Sequence, residues 1–417
     1  MDNKKNGIPK LRFPGFTGAW EQRKLGEVFS ILKNNTLSRA NLSDEHGAAQ
    51  DIHYGDILTK FNETLDISTT AVPYIQNEEV IEKTKATLLK NGDIVLADTA
   101  EDETAGKCTE IVGLVNQKVF AGLHTIPLRP NQSFSKGFLG FYMNSIAFRD
   151  QLKSLMQGIK VLSISKKALK ETVISFPHDL REQEKIGQHL SNIDTLIALH
   201  QRKLEHLQEQ KKGLLQKMFP KNGETVPEVR FPGFTDAWEQ RKLGDFGKVA
   251  MNKRIFKNQT SDEGDVPFYK IGTFGGVADS YITKELFEEY KLKYPYPRKG
   301  DLLISASGSI GRVIEYSGKD EYFQDSNIVW LDHDNRLDNS FLKQFYNIIK
   351  WQGLEGSTIK RLYNKNILAT KIDVPSISEQ LRIGDFFQQF DTLIALHQRK
   401  LDHLELMKKG LLQQMFV

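Results

Sequence analysis

The sequence predicts an α+β protein: two mixed α/β domains separated by a long antiparallel two-helix coiled coil, the halves forming a pseudo-twofold internal repeat. Three observations carry this. In a chain of 417 residues, LRFPGFTGAWEQRKLG at 11–26 returns at 229–244 as VRFPGFTDAWEQRKLG, and DTLIALHQRKLEHL at 194–207 returns at 391–404 as DTLIALHQRKLDHL. Between these frames lie two long inserts, about 27–178 and 245–375, that share little sequence. Each half then closes in a stretch of 4,3 spacing that is apolar at eight of ten positions. A constant frame around divergent inserts describes one scaffold presenting two readers of one kind of ligand.

The repeat sets the boundaries. A first domain with its frame segment occupies 1–178 and a long helix 179–219; a second domain with the repeated frame occupies 220–376 and a second long helix 377–417. Pro220-Lys221-Asn222-Gly223 breaks the first helix, because proline lacks the helical N–H and glycine loosens the backbone.

Within the inserts, Asn91-Gly92-Asp93 and Lys299-Gly300-Asp301 each read as a turn leading into a buried strand, Ile94–Ala97 and Leu302–Ser305. A glycine and a basic residue follow both, Gly106-Lys107 and Gly311-Arg312. The stretches Gly158–Pro177 and Gly356–Pro375 have equal length and match at Val161/Ile359, Ile164/Leu362, Lys167/Lys365, Leu169/Ile367 and Ile174/Ile372. The inserts are therefore expected to be diverged copies of one fold.

The closing stretches carry a heptad seam: Ile186, Leu190, Ile193, Ile197, His200, Leu204, Leu207, Lys211, Leu214 and Met218, matched by Ile383, Phe387, Phe390, Ile394, His397, Leu401, Leu404, Lys408, Leu411 and Met415. Sustained a/d spacing argues a coiled coil, and the repeated polar exceptions suit register specification. Two equivalent helices related by a pseudo-twofold must run antiparallel. At ~1.5 Å per residue a helix of about 40 residues spans ~60 Å, or ~18 base pairs of duplex.

Composition excludes several classes. A net charge of +4 is no polycation, so any nucleic-acid surface must be local. The single cysteine, Cys108, excludes an intrachain disulfide and a cysteine-rich zinc site. No apolar run approaches the ~20 residues of a membrane span, and Met1–Lys10 lacks a signal peptide's apolar stretch. The expectation is a soluble cytoplasmic protein. No phosphate-binding loop, dinucleotide turn or nucleophile elbow is present. His53, His124 and His333 lack metal-ligand spacing, and Ser305–Gly311 reads as a strand-end turn. No catalytic residue, metal or cofactor is expected in this chain.

Basic clusters point elsewhere. Lys160, Ser163, Ser165, Lys166 and Lys167 in the first insert and Lys360, Arg361, Tyr363 and Lys365 in the second occupy matched places without an acid among them. Such residues contact phosphate oxygens, and Ser165 is placed to cap a helix starting at Lys166. Base readout needs side chains that differ between the copies. Candidates are Thr99, Lys107, His124 and Lys160 in the first insert, and Tyr269, Lys270, Thr273, Ser307, Ser309 and Arg312 in the second. Phe13, Phe16, Trp20 and their equivalents Phe231, Phe234, Trp238 either pack against the helices or offer a repeated partner two equal docks.

The frame RFPGFT-x-AWEQRKLG, the Lys/Asn-Gly-Asp strand, Gly-Ser-Thr-Ile-Lys-Arg-Leu and Asp-Thr-Leu-Ile-Ala-Leu-His-Gln-Arg-Lys together resemble the specificity subunit of type I restriction–modification systems, over essentially the whole chain. The resemblance implies a bacterial protein with two target recognition domains, each reading half of a bipartite double-stranded DNA target, and helices that set the spacer and dock two modification (methyltransferase) subunits. Those subunits would carry S-adenosylmethionine; restriction (translocase) subunits would add ATP and Mg; DNA-mimic anti-restriction proteins are further candidate partners. The alternative is a coiled-coil scaffold whose two domains bind proteins.

Overall fold

The computed structural model describes residues 7–221, 223–353 and 360–417. The chain gathers into two compact units, Met1–Gln201 with Arg399–Val417, and Arg202–Gln398.

In the first unit the frame works as a staple. Strand Glu21–Lys24 pairs antiparallel with Val173–Phe176, Glu21 opposite Phe176, so the insert's entry lies beside its exit. Trp20, 3% exposed, anchors that strand. Its ring meets Phe138 and Phe416 edge-on, 5.8 and 6.2 Å between centroids. Arg12 forks onto the buried Glu182 at the start of the long helix, with Nε–Oε1 2.6 Å and Nη2–Oε2 2.8 Å. A planar guanidinium suits a carboxylate this way, which fixes where the helix leaves the domain.

The insert folds around a five-stranded sheet in the order Phe29–Ile31, Thr125–Pro130, Ile94–Ala97, Cys108–Val112, Thr64–Asp66, beside a four-stranded one. Alternate residues of Ile94–Ala97 face opposite sides. Ile94 and Leu96 join the cluster of Trp20 and Phe138, while Val95 and Ala97 join that of Ile52, Ile57 and Leu65. Both faces are buried, which explains the uninterrupted apolar run. The preceding turn takes Gly92 through φ 87°, and Asp93 is held bidentately by Arg129 at 2.9 and 2.6 Å.

The second unit repeats the plan. Glu239–Lys242 pairs with Lys371–Val374, and Arg230 forks onto Glu379 at 2.7 Å twice. Trp238 packs on Phe219 and Phe341. The central sheet runs Gly247–Ala250, Ile328–His333, Leu302–Ser305, Val313–Glu315.

The long helices are Leu180–Met218 and Ile377–Gln414. In the first unit Ile186, Leu190 and Ile193 share a core with Met415 and Phe416, and Ile197, Leu404 and Leu411 pack against it. In the second unit Leu215 and Met218 share a core with Ile383 and Phe387, flanked by Leu214 and Phe390. Leu204, Leu207 and Leu401 are buried and Ile394 is half-buried. The polar seam positions hold ion pairs: Lys408 reaches Asp194 and Glu63 at 2.7 Å each in the first unit, and Lys211 reaches Asp391 at 2.5 Å in the second. Asp194 and Asp391 are themselves repeat equivalents, so one lysine–aspartate device is used twice.

Candidate nucleic-acid interface

The end of strand Ile94–Ala97 builds an exposed edge in the first domain. Asp98 follows it, its N–H donating to His124 O at 3.0 Å and its carbonyl accepting from Ile164 N–H at 2.8 Å. Thr99 then pairs with Ser163 across a short antiparallel bridge. Three segments distant in sequence therefore share one edge. Thr99 Oγ1 donates to Asp98 Oδ1 at 2.7 Å, and His124 Nδ1 lies 3.5 Å from the same oxygen. Tyr54 meets the His124 ring edge-on at 5.3 Å.

The second domain reproduces the backbone of this edge with other side chains. Ala306 N–H donates to Asn327 O at 2.7 Å, and Leu362 N–H to Ala306 O at 2.8 Å. Ser307 bridges to Arg361. Asp98 thus corresponds to Ala306, Thr99 to Ser307, His124 to Asn327 and Ser163 to Arg361. Ser307 Oγ donates to Asn327 Oδ1, which also accepts from Arg361 Nη2, both at 2.7 Å. Arg254 pairs with Asp325 in the same loop, 3.1 Å away. His124 and Ser326, both at φ 55°, are the non-glycine residues of left-handed backbone among those described, and each lies in the loop entering this edge. Such backbone costs on the order of 1 kcal/mol or more and gathers at functional sites. Asp98 and Asn327 carry no sequence signal; hydrogen-bond register alone reveals them.

The remaining expected contacts divide. Gly106 and Gly311, at φ 83° and 84°, each donate to the end of the central strand, to Ala97 O and Ser305 O, but the basic residues after them part company. Lys107 turns inward and is half-buried, donating to Leu58 O at 3.1 Å with burial lowering its pKa. Arg312 stays exposed and donates to Gly275 O at 3.2 Å. The turn from Tyr269 through Lys270 to Thr273 is tied to the reading loop: Gln324 N–H donates to Tyr269 O, and Gln324 Oε1 accepts from Ile271 N–H, both at 2.9 Å. Tyr269 stacks on Phe323 with centroids 5.8 Å apart, and Lys270 pairs with Asp279 at 2.9 Å. Thr273 Oγ1 accepts from Lys270 N–H. Ser309 is exposed at the adjoining turn.

Lys160, Ser163, Ser165, Lys166 and Lys167 lie exposed, and Ser165 accepts from Ala168 N–H to cap helix Lys166–Lys170. Lys360 and Tyr363 are exposed, with Lys365 Nζ 5.8 Å above the Tyr363 ring. Gly356 to Ile359 lies outside the described residues, as do Met1 to Asn6 and Asn222.

Of the six expected docking residues the two tryptophans are covered. Trp20 and Trp238 are 3% and 2% exposed, so neither ring is available to a partner. Phe13 packs edge-on against His189, Lys185 covers Phe16, and Phe231 meets Phe386 and Arg382; Phe234 is half-buried. The repeat instead leaves leucines in water at identical places: Leu196 and Leu199 are 43% and 57% exposed, Leu393 and Leu396 44% and 38%.

Among the described residues no cluster of His, Cys, Asp or Glu could hold a metal, and no helix is long and apolar enough to cross a membrane. Cys108 is buried, its thiol pushed up to about 12 by burial.

Residues 18–209 and 235–406 each match the type I restriction modification DNA specificity domain. The chain belongs to this family. It is a DNA specificity subunit of a type I restriction–modification system, the non-catalytic part of such an enzyme. It is 58% identical over 153 residues to a chain described as a type I restriction enzyme specificity subunit in Haemophilus influenzae, a match spanning 36% of this chain and 40% of that one. It is 24% identical over 409 residues to one so described for the MjaX enzyme of Methanocaldococcus jannaschii, covering 94% and 92%. The crystal structure of the type I S subunit from M. genitalium superposes with TM-score 0.64 at 17% identity, over 98% and 99% of the two chains. That likeness extends the shared fold to the whole specificity subunit. The protein-binding scaffold gives way to DNA specificity.

Proposed function

We propose that each domain reads one half of a bipartite, asymmetric duplex through the edge described above. Asp98, Thr99, His124 and Ser163 face one half-site; Asn327 and Arg361, steadied by the buried Ser307 and with Arg312 and Tyr269 nearby, face the other. The observation that carries this is the same hydrogen-bonded backbone holding different side chains in the two domains, which is what two addresses on one scaffold require. Chemistry fits the role: arginine donates bidentately to guanine, a carboxylate accepts from cytosine N4, and asparagine and histidine reach either groove edge. The long helices set the spacer, and the paired leucines Leu196/Leu199 and Leu393/Leu396 dock two modification subunits. Those subunits bring S-adenosylmethionine, and restriction subunits bring ATP and Mg; this chain contributes the address. DNA-mimic anti-restriction proteins would compete for the same edges.

The test replaces only insert 27–178 with that of a relative of different specificity, in a host carrying the modification subunits, and sequences the methylome. Half of the methylated target changes and half persists. If both halves change, or neither does, the division of labour is wrong.

A further inference from the structure

Beside the reading edge of the first domain runs a groove of about 470 Å³, lined by Lys33, Asn34, Lys83, Thr84, Lys85 and Lys166 among others. Four lysines face it, and among the described residues no acidic side chain lines it. Its walls are joined: Lys33 O accepts from Thr87 N–H at 2.9 Å, and Lys33 N–H donates to Thr87 Oγ1 at 3.3 Å. Lys83 has only a surface partner, Glu79, 3.3 Å away with both side chains more than three-quarters exposed. Exposed pairs of this kind contribute little and yield readily to a phosphate.

The groove is continuous with the edge. Asn34 accepts from Lys166 Nζ at 3.3 Å and donates to Gly122 O at 3.2 Å, and Gly122 opens the loop that presents His124. In the second domain two cations that follow strand Gly247–Ala250 are engaged, Arg254 by Asp325 and Lys253 over the Tyr294 ring.

We propose that this groove is a clamp for the phosphate backbone of duplex DNA, holding the helix irrespective of its sequence while the neighbouring edge reads bases. It rests on the reading of the edges as DNA-facing, and it makes the two domains unequal: the first supplies more of the salt-sensitive hold. Lysine is suited to this, as a mobile point charge that neutralises phosphates and displaces condensed counterions.

The test uses the full chain assembled with its modification subunits and compares it with the Lys33→Gln/Lys83→Gln/Lys85→Gln variant. Binding is measured over a range of salt concentrations, to a duplex containing the recognised sequence and to one lacking it. The slope of log affinity against log salt should become shallower by about 1 for each phosphate no longer neutralised, so by about 2 to 3 in all. Affinity for the two duplexes should fall by the same factor, leaving their ratio intact. The Lys253→Gln variant of the second domain should leave the slope within about 0.5 of the parent. An unchanged slope with target recognition intact overturns the clamp and leaves base reading standing. A loss confined to the target duplex also overturns it, because the lysines would then read sequence. Failure of the unaltered complex to prefer its target would instead strike the reading of the edges.

Discussion

Lys408 sets its ammonium 2.7 Å from the carboxylate of Asp194, a seam cation on one long helix facing a repeat-encoded anion on the other within the first unit. Burial works against its charge, but Glu63 and Asp194 outweigh burial and raise its pKa. Burial raises that of Asp194, against the pull of Lys408.

Removing one member of such a group strands the others. Lys408→Met leaves two mostly buried carboxylates without a counter-charge and should cost about 3 kcal/mol or more, read as a lower urea midpoint. Lys408→Leu combined with Asp194→Leu and Glu63→Gln should recover most of that. A triple variant no better than the single one would show that the network does not act as a unit.

Arg361 should discriminate one base pair. Its replacement by alanine is expected to broaden one or two positions of a single half-site, by a factor corresponding to about 1–3 kcal/mol. Methylome sequencing reads this directly. Uniformly weaker methylation with an unaltered motif would place Arg361 on the phosphates instead.

The exposed leucines make a counting prediction. Leu196→Gln with Leu199→Gln should leave a complex carrying one modification subunit, as should Leu393→Gln with Leu396→Gln; changing all four should leave none. Native mass spectrometry counts the subunits. The side chains are 38–57% exposed, so the thermal midpoint should move little compared with a core substitution.

Asp51 makes the first domain pH-sensitive. Fully buried, its carboxyl is raised to about 7, by desolvation above all, against the hydrogen bond from Asn35. A folded pKa above the unfolded value near 3.9 means the native state holds the extra proton. This contribution is therefore full below about pH 4 and is lost as pH rises through 7, by up to about 4 kcal/mol. Asp51→Asn should flatten the fall in stability between pH 5 and 8. An equally steep fall in the variant would assign the slope elsewhere.

The helices also make a prediction about reach. Seven residues inserted into each, between His200 and Leu204 and between His397 and Leu401, add ~10.5 Å, or about 3 base pairs. The accepted spacer should lengthen accordingly, and an unchanged spacer would remove the helices from that role.

Much of the frame was legible in the sequence because its signals are local or periodic. The seam repeats every three or four residues, and the Asn/Lys-Gly-Asp turns announce strands whose both faces are buried. The reading edge was legible only in part. Thr99, His124 and Ser163 meet through backbone hydrogen bonds between distant segments, and Asp98 joins them with no motif of its own. Lys107 and Arg312 match in sequence yet differ in space, because the Leu58 carbonyl in the first domain draws Lys107 inward. Trp20 and Trp238 were ambiguous because a proline- and glycine-rich context does not say which side of an aromatic is covered. The ring neighbours do.

The pairing of Glu21–Lys24 with Val173–Phe176 has a consequence for inheritance. Because each insert leaves and rejoins the frame on adjacent strands, ~4.8 Å apart, its contents are topologically a cassette. A foreign segment whose ends meet at that spacing can be spliced in without disturbing the strands that receive it. Two nearly identical flanks in one gene also give recombination matching ends at which to exchange a whole reader. A lineage carrying this frame can therefore acquire a new address in one crossover, whereas point changes would have to pass through half-formed ones.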